Sequence, residues 1–408
     1  MSCPVHAGYD PLAPAFLTDP YPQLAEIRAE TPVFHHSELN MWVVTRHADI
    51  ERIMKDHRTF CGANTQEPVF PLDEEARALL ADGFGTSPTM SNGPEPKHSR
   101  VRSHCLKVFS ARRLEVLAPT VRARADELIT RMLRRPRFDA VNELTYPLPA
   151  SVVFALIGFP AEDTVMLKEL AAERMVFTWG RATPEQQTDV AKFMVRYWKY
   201  CVDFVHRRLA EPRDDFTSDL IRVHLDDPEA LTVDEITNVI HAISFAGHET
   251  TTNVATSALL RLLGDREQWE ALCADPSLVP QAVEEALRYD PSLFTWRRQT
   301  TRAVDIGGVE VPAGAKLLLQ IGSANHDPQA FDDPEVFDIR REAARHHLTF
   351  GRGIHYCFGA PLARMEIGVM LELLAERAPS LRLAGKDVDH PRNICFRGPE
   401  KLWLEWDA

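Results

Sequence analysis

Between Asp234 and Leu263 apolar residues recur at helical spacing, and Ile240, Ile243, Phe245, Val254 and Leu259 leave little room for solvent around the axis. A helix this long and this apolar has to be enclosed by other elements. The same period runs through Tyr21–Glu30, Arg113–Leu133, Glu185–Leu209, Pro280–Arg288 and Ala360–Arg377, so the enclosing elements are themselves helices. Short β signals are confined to Met41–Thr45, to Val304–Val311 with its Gly307-Gly308 turn, and to Ala315–Ile321. The class is mainly α with a small β portion. No linker rich in Gly, Ser or Pro divides the 408 residues, which read as a single domain over residues 1–408. Cys61–Lys97 and Phe159–Pro184 are broken by Pro and Gly while carrying Phe, Met and Trp, and are expected to be mobile covers.

Composition removes several function classes. A formal net charge of −13 lacks the lysine and arginine excess that phosphate binding needs, which argues against a nucleic-acid partner. No basic segment followed by an apolar run opens the chain, and no apolar stretch is long enough to span a bilayer, so no membrane association and a cytoplasmic location are expected. The seven cysteines are scattered without a C-x-x-C pair, a poor basis for structural zinc or a disulfide framework.

Three segments carry chemistry. In Ala246-Gly247-His248-Glu249-Thr250-Thr251 a glycine and polar residues interrupt the long helix. Glycine and a threonine hydroxyl bonded to the preceding turn both loosen the backbone ladder, so a local bulge is expected; a surface stripe of polar residues is the plainer reading. In Glu285-Ala286-Leu287-Arg288 acid and base lie three apart on one helical face and can pair. In Phe350-Gly351-Arg352-Gly353-Ile354-His355-Tyr356-Cys357-Phe358-Gly359 a thiol stands at the N-terminus of the last long helix, where the macrodipole and free N–H groups favour a thiolate. Gly351, Gly353 and Gly359 would let backbone approach a flat ligand. A soft anionic sulfur so presented suits iron, although a lone cysteine beside glycines is more often a packed thiol or a tight turn.

The whole string Phe-Gly-x-Gly-x-His-x-Cys-x-Gly, followed by Leu362-Ala363-Arg364 and preceded in order by the other two segments, resembles the cytochrome P-450 family. The resemblance runs from Asp19-Pro20-Tyr21-Pro22 to Phe396-Arg397-Gly398-Pro399 and is weakest over the two expected covers. It implies the cytochrome P-450 fold, with haem b (iron protoporphyrin IX) between the long central helix and the loop of Cys357, the axial iron ligand next to Gly359. It further implies that His98, Arg102, Arg298 and His355 clamp the haem propionates, with Arg297 adjoining Arg298. Ala246 and Gly247 belong to the oxygen groove, and Thr250 and Glu249 deliver the protons that O–O cleavage requires. Glu285 and Arg288 form a structural ion pair. Phe245, Leu293, Phe294, Trp296 and Phe396 fall near the substrate pocket.

The activity so implied is a haem-thiolate monooxygenase, an oxidoreductase that inserts one oxygen atom from O2 into a small apolar or aromatic substrate by hydroxylation or O-dealkylation. Its electrons start from NAD(P)H and pass through a partner, a ferredoxin or a flavin/iron–sulfur reductase, separate or fused. The opening Cys3-Pro4-Val5-His6-Ala7-Gly8-Tyr9-Asp10 is similar to the start of haem domains fused to such a reductase. Lys107, Arg112, Arg113, Arg340, Arg341, Arg345, Arg352 and Arg364 are expected to make a local positive patch that steers an acidic donor. A peroxide-driven peroxygenase and a non-catalytic haem gas sensor are the competing readings; an intact Glu249–Thr250 pair speaks against both.

Overall fold

Thr232 starts the central helix, Val233–Gly264: its hydroxyl accepts the N–H of Glu235 at 3.2 Å and the Glu235 carboxylate accepts the N–H of Thr232 at 3.0 Å. This reciprocal cap satisfies two N–H groups that would otherwise lack helical partners. The computed structural model describes residues 6, 8–164, 166, 171–385 and 388–407, without the side chains of 171–173, so Cys3, Pro4, Val5 and Ala7 of the opening segment lie outside the described residues. Helices Pro147–Ile157, Pro184–Ala210, Val279–Tyr289 and Ala360–Arg377 pack around the central one.

The middle of the central helix differs from expectation. It is α-helical throughout, with no bulge at Gly247. A Cβ at Gly247 would come within 2.5 Å of Cγ2 of Val153 on the Pro147–Ile157 helix. The glycine therefore allows two helices to approach closely. Thr250 gives its hydroxyl hydrogen to the carbonyl of Ala246 at 2.9 Å, a bond to the preceding turn that leaves the helix continuous.

The strands, in chain order, are β1 (Val33–His36), β2 (Met41–Val44), β3 (Phe60–Cys61), β4 (Arg137–Asp139), β5 (Thr295–Thr300), β6 (Val304–Ile306), β7 (Val309–Val311), β8 (Lys316–Gln320), β9 (Arg382–Leu383) and β10 (Trp403–Glu405). A five-stranded sheet runs β1-β2-β8-β5-β3, antiparallel except for the parallel β2–β8 pair. The β6–β7 hairpin turns on Gly307 and Gly308, whose φ of +59° and +85° suits residues without a side chain. The two expected covers contain regular structure: Glu74–Gly83, capped by the Asp73 carboxylate, and Ala171–Trp179 are helices. No described helix is long and apolar enough to cross a membrane.

Glu285 and Arg288 meet in a two-point ion pair at 2.7 and 2.8 Å, both side chains fully buried. Arg288 also donates to the carbonyls of Asn325, Pro334 and Val336, while Glu285 accepts from Arg341 at 3.2 Å and from the N–H of Asp338 at 2.9 Å. The pair thus ties the Val279–Tyr289 helix to the segment that leads to the cysteine loop. Removing one partner of a buried pair strands the other, which costs about 3–5 kcal/mol. Glu285→Gln is expected to lower the unfolding midpoint accordingly, whereas Glu372→Gln, which breaks the exposed Arg122–Glu372 pair, costs under about 1 kcal/mol. Equal midpoints for the two variants in thermal unfolding would contradict this.

Candidate active site

The cysteine loop is folded by its own backbone: the N–H of Gly351 donates to Leu348 at 2.8 Å, that of Tyr356 to Gly353 at 3.0 Å, and that of Cys357 to Phe350 at 2.8 Å. Gly351 and Gly353 hold φ of +70° and +68°. A Cβ at Gly353 would also sit 2.7 Å from the carbonyl oxygen of Met54, so this turn fits against the His47–Lys55 helix only as glycine. Gly359 is under no such demand, since a Cβ there would meet only the Cys357 sulfur at 3.8 Å.

Solvent reaches Cys357, yet protein encloses the sulfur closely enough that burial dominates its proton affinity. Both observations fit the floor of a narrow crevice. Burial pushes the thiol's pKa up, against the N–H of Gly359, the Arg102 guanidinium, the N–H of Ala360 and Arg364, which pull it down. The N–H groups of the helix N-terminus therefore favour the thiolate, as the sequence suggests, while burial opposes it. An anionic sulfur here needs a directly bonded cation. On the central helix, Ala246 is exposed between half-buried Phe245 and Gly247, so solvent also reaches the middle of an otherwise enclosed helix.

Four nitrogen-bearing side chains gather beside the loop. The His98 and His355 rings lie 4.2 Å apart, and Arg102 donates to the Tyr356 carbonyl. His355 is driven down to about 3, first by burial and then by the charges of Arg298, His98 and Arg102, so all four are neighbours. His98 is fully buried; its Nδ1 lies 3.0 Å from Glu95, and its Nε2 has no hydrogen-bond partner among the described residues. Arg298, 3% exposed, is lowered to about 10 by burial and donates only to the carbonyl of Arg297 at 2.9 Å. Arg102 and Arg298 have no carboxylate partner among the described residues. A buried and a half-buried cation without acids among the described residues call for an anion, and the two carboxylates of a haem match that demand. The adjoining Arg297 goes elsewhere, to the Thr65 carbonyl at 2.9 Å and over the Trp179 ring at 3.9 Å.

Glu249, 9% exposed, lies 3.5 Å from Nε2 of buried His248, and its charge is felt by the Tyr146 phenol. His248 is fixed by donating from Nδ1 to the carbonyl of Ser244 at 2.7 Å. The pocket candidates separate. Phe245 stacks edge-on against Tyr197 at 4.7 Å and adjoins exposed Ala246, whereas Leu293, Phe294, Trp296 and Phe396 belong to a second cluster near the sheet. Within it Leu293 bridges to Phe396, and Phe294 is packed between Phe16 and Tyr21 as a core side chain.

One residue that the sequence analysis passed over is Glu284. It takes Arg364 at 2.5 and 3.1 Å and lies 3.3 Å from Nε2 of His347. Burial raises its pKa, but His347 and Arg364 together outweigh that and hold it at about 2. Arg364 in turn stacks on Phe350 at 4.5 Å, bracing the cysteine loop from behind. Its signal was the second acid of Glu284-Glu285 opposite the arginine of Leu362-Ala363-Arg364. Of the expected positive patch, Arg113 is paired with Asp214 and Asp219, Arg341 with Glu285, Arg352 with Glu51 and Arg364 with Glu284. Lys107, Arg112, Arg340 and Arg345 are exposed.

The family model described as Cytochrome P450 matches residues 25–377. The chain is 34% identical over 397 residues to Cytochrome P450 107B1 of Saccharopolyspora erythraea, covering 95% of each. Its structure superimposes on cytochrome P450 CREJ in complex with (4-ethylphenyl) dihydrogen phosphate with a TM-score of 0.95 at 35% identity, covering 99% of this chain and 100% of that one. An intact type IV self-sufficient cytochrome P450 monooxygenase gives a TM-score of 0.95 at 38% identity over 99% of this chain, which spans 54% of that longer protein.

The tightest demand of the loop falls on Gly353. A side chain in the left-handed region costs about 1–2 kcal/mol before the contact with Met54 is counted. Gly353→Ala is expected to lose about 2 kcal/mol or more in denaturant unfolding, while Gly385→Ala, with nothing within 4 Å, stays within about 0.5 kcal/mol of the parent. A neutral Gly353→Ala would show that the loop does not depend on this turn.

Proposed function

The chain belongs to the cytochrome P450 family and is a monooxygenase, and on that premise we propose that it holds haem b through Cys357 and oxidises a small apolar or aromatic substrate by hydroxylation or O-dealkylation. The observation that carries this reading is the set of His98, Arg102, Arg298 and His355 beside a cysteine that solvent reaches, with Nε2 of buried His98 unpartnered and the buried Arg298 guanidinium without an acid among the described residues. Residues 1–408 act as one haem domain. When bound, haem supplies the activation of dioxygen and the transfer of one oxygen atom to substrate, a reaction that consumes two electrons and two protons and releases water.

The protons are the task of the chain itself. Glu249 is the acid next to Thr250, packed by His248 and Tyr146, and it can hold a proton out of bulk water. The Thr250 hydroxyl gives its hydrogen to the Ala246 carbonyl at 2.9 Å, so its oxygen is free to accept a hydrogen bond and would hold a proton-carrying water in place. Exposed Ala246 leaves room for a small molecule beside it.

Electrons from NAD(P)H come through a ferredoxin or a flavin/iron–sulfur reductase, separate or fused. The likeness to the self-sufficient enzyme supports the fused form as one arrangement. Exposed Lys107, Arg112, Arg340 and Arg345 are the cations left to steer an acidic donor. Arg112 opens the helix after Phe109, whose ring meets Phe358, the neighbour of Cys357, at 5.3 Å.

Two measurements test the reading. Cys357→Ser should abolish the reduced carbon-monoxide band of a thiolate-ligated haem, because an alcohol is a much weaker donor, while serine at any other cysteine leaves it. A band that survives Cys357→Ser and vanishes with another cysteine would assign the ligand elsewhere. Thr250→Ala should keep haem and substrate binding but lower product formed per electron consumed by about tenfold or more, with peroxide released in its place. Unchanged coupling would remove Thr250 from proton delivery.

A further inference from the structure

On the helix Ala171–Trp179, Arg174 lays its guanidinium over the ring of Phe245 at 3.9 Å. That contact uses the face of the cation and leaves its N–H edge free: Nη1 is buried without a hydrogen-bond partner among the described residues. Next to it is His241, 4% exposed, whose Nε2 is likewise buried and unpartnered among the described residues. Four aromatic rings surround His241, Phe245 at 5.4 Å, Phe84 and Tyr197 at 5.5 Å, and Trp198 at 5.6 Å. The Tyr197 hydroxyl is occupied in donating to Ser244.

No negative charge among the described residues answers Arg174. The groups that act on it most are Tyr197 and Cys201, and burial keeps both of these protonated. Burial lowers the guanidinium to about 10, which leaves it charged at neutral pH, and it presses His241 well below its usual range, so that imidazole is neutral. One full cation and one neutral imidazole, with no carboxylate beside them among the described residues, are set in an aromatic wall. Phe245 also adjoins Ala246, where solvent enters the central helix.

We propose that Arg174 and His241 form the anion-recognising end of the substrate pocket, and that the substrates are small aryl or alkyl compounds bearing a carboxylate or phosphate monoester. This rests on the haem-monooxygenase reading above and narrows its substrate class. The aromatic rings take the organic body, Arg174 binds the oxyanion through its free edge, and His241 adds a neutral hydrogen bond. An oxyanion anchored at this end leaves the opposite end of the molecule toward Ala246.

The holoenzyme, with its reduced carbon-monoxide band first verified, is titrated calorimetrically with 4-methoxybenzoate, 4-methoxyphenyl phosphate and uncharged 4-methoxytoluene. At least one anion should bind ten times or more tightly than 4-methoxytoluene, and the better of the two identifies the oxyanion. Arg174→Met should erase that preference while leaving the neutral compound's affinity within twofold, and Arg174→Lys should restore part of it. Equal affinity of the parent for all three probes, or Arg174→Met weakening the neutral compound as much as the anion, overturns the proposal; the parent comparison needs no variant to fold. A missing carbon-monoxide band would instead count against the haem reading.

Discussion

Glu285 is fully buried and accepts at once from Arg288, Arg341 and the N–H of Asp338. A carboxylate so enclosed cannot shift without stranding charge, so the Val279–Tyr289 helix and the segment through Arg341 are fixed to each other. Glu284, its neighbour in sequence, is turned to Arg364 on the helix that follows the cysteine loop. Two adjacent acids thereby secure the approach to Cys357 and the exit from it. The loop between them needs few contacts of its own, and its glycine turns can serve shape alone.

Charge is distributed against the composition. A chain with a net charge of −13 puts Arg102 and Arg298 beside its cysteine without a carboxylate for either among the described residues. Each is lowered by burial, which measures how poorly the surroundings solvate a cation. Such groups weigh against folding until an anion arrives, and a ligand that binds only the folded chain stabilises it by mass action. Cofactor binding and folding are then parts of one equilibrium.

Much of this was legible in the sequence where periodicity is strong. Tyr21–Glu30 and Ala360–Arg377 fall on the boundaries read from spacing, and the Gly307-Gly308 hairpin closes as its turn residues require. Glu74–Gly83 and Ala171–Trp179 escaped because short helices between prolines and glycines carry too few turns to set a period. The Cys357 segment, the Glu285–Arg288 spacing and Glu249–Thr250 were visible as motifs. Arg174 and His241 were not, since their nearness arises from packing between helices far apart in sequence. The contribution of the helix terminus to the Cys357 thiol is legible locally, but the opposing effect of burial is not.

The fit of Gly247 against Val153 has a bearing beyond those two residues. Gly247 faces the neighbouring helix rather than the cysteine loop, so the seat of the central helix is fixed from behind. The width of the slot in front is then inherited from a contact between two helices. In sequence change over time, positions 153 and 247 are bound together: a bulkier residue at one is tolerated only with a smaller one at the other, or the slot itself narrows.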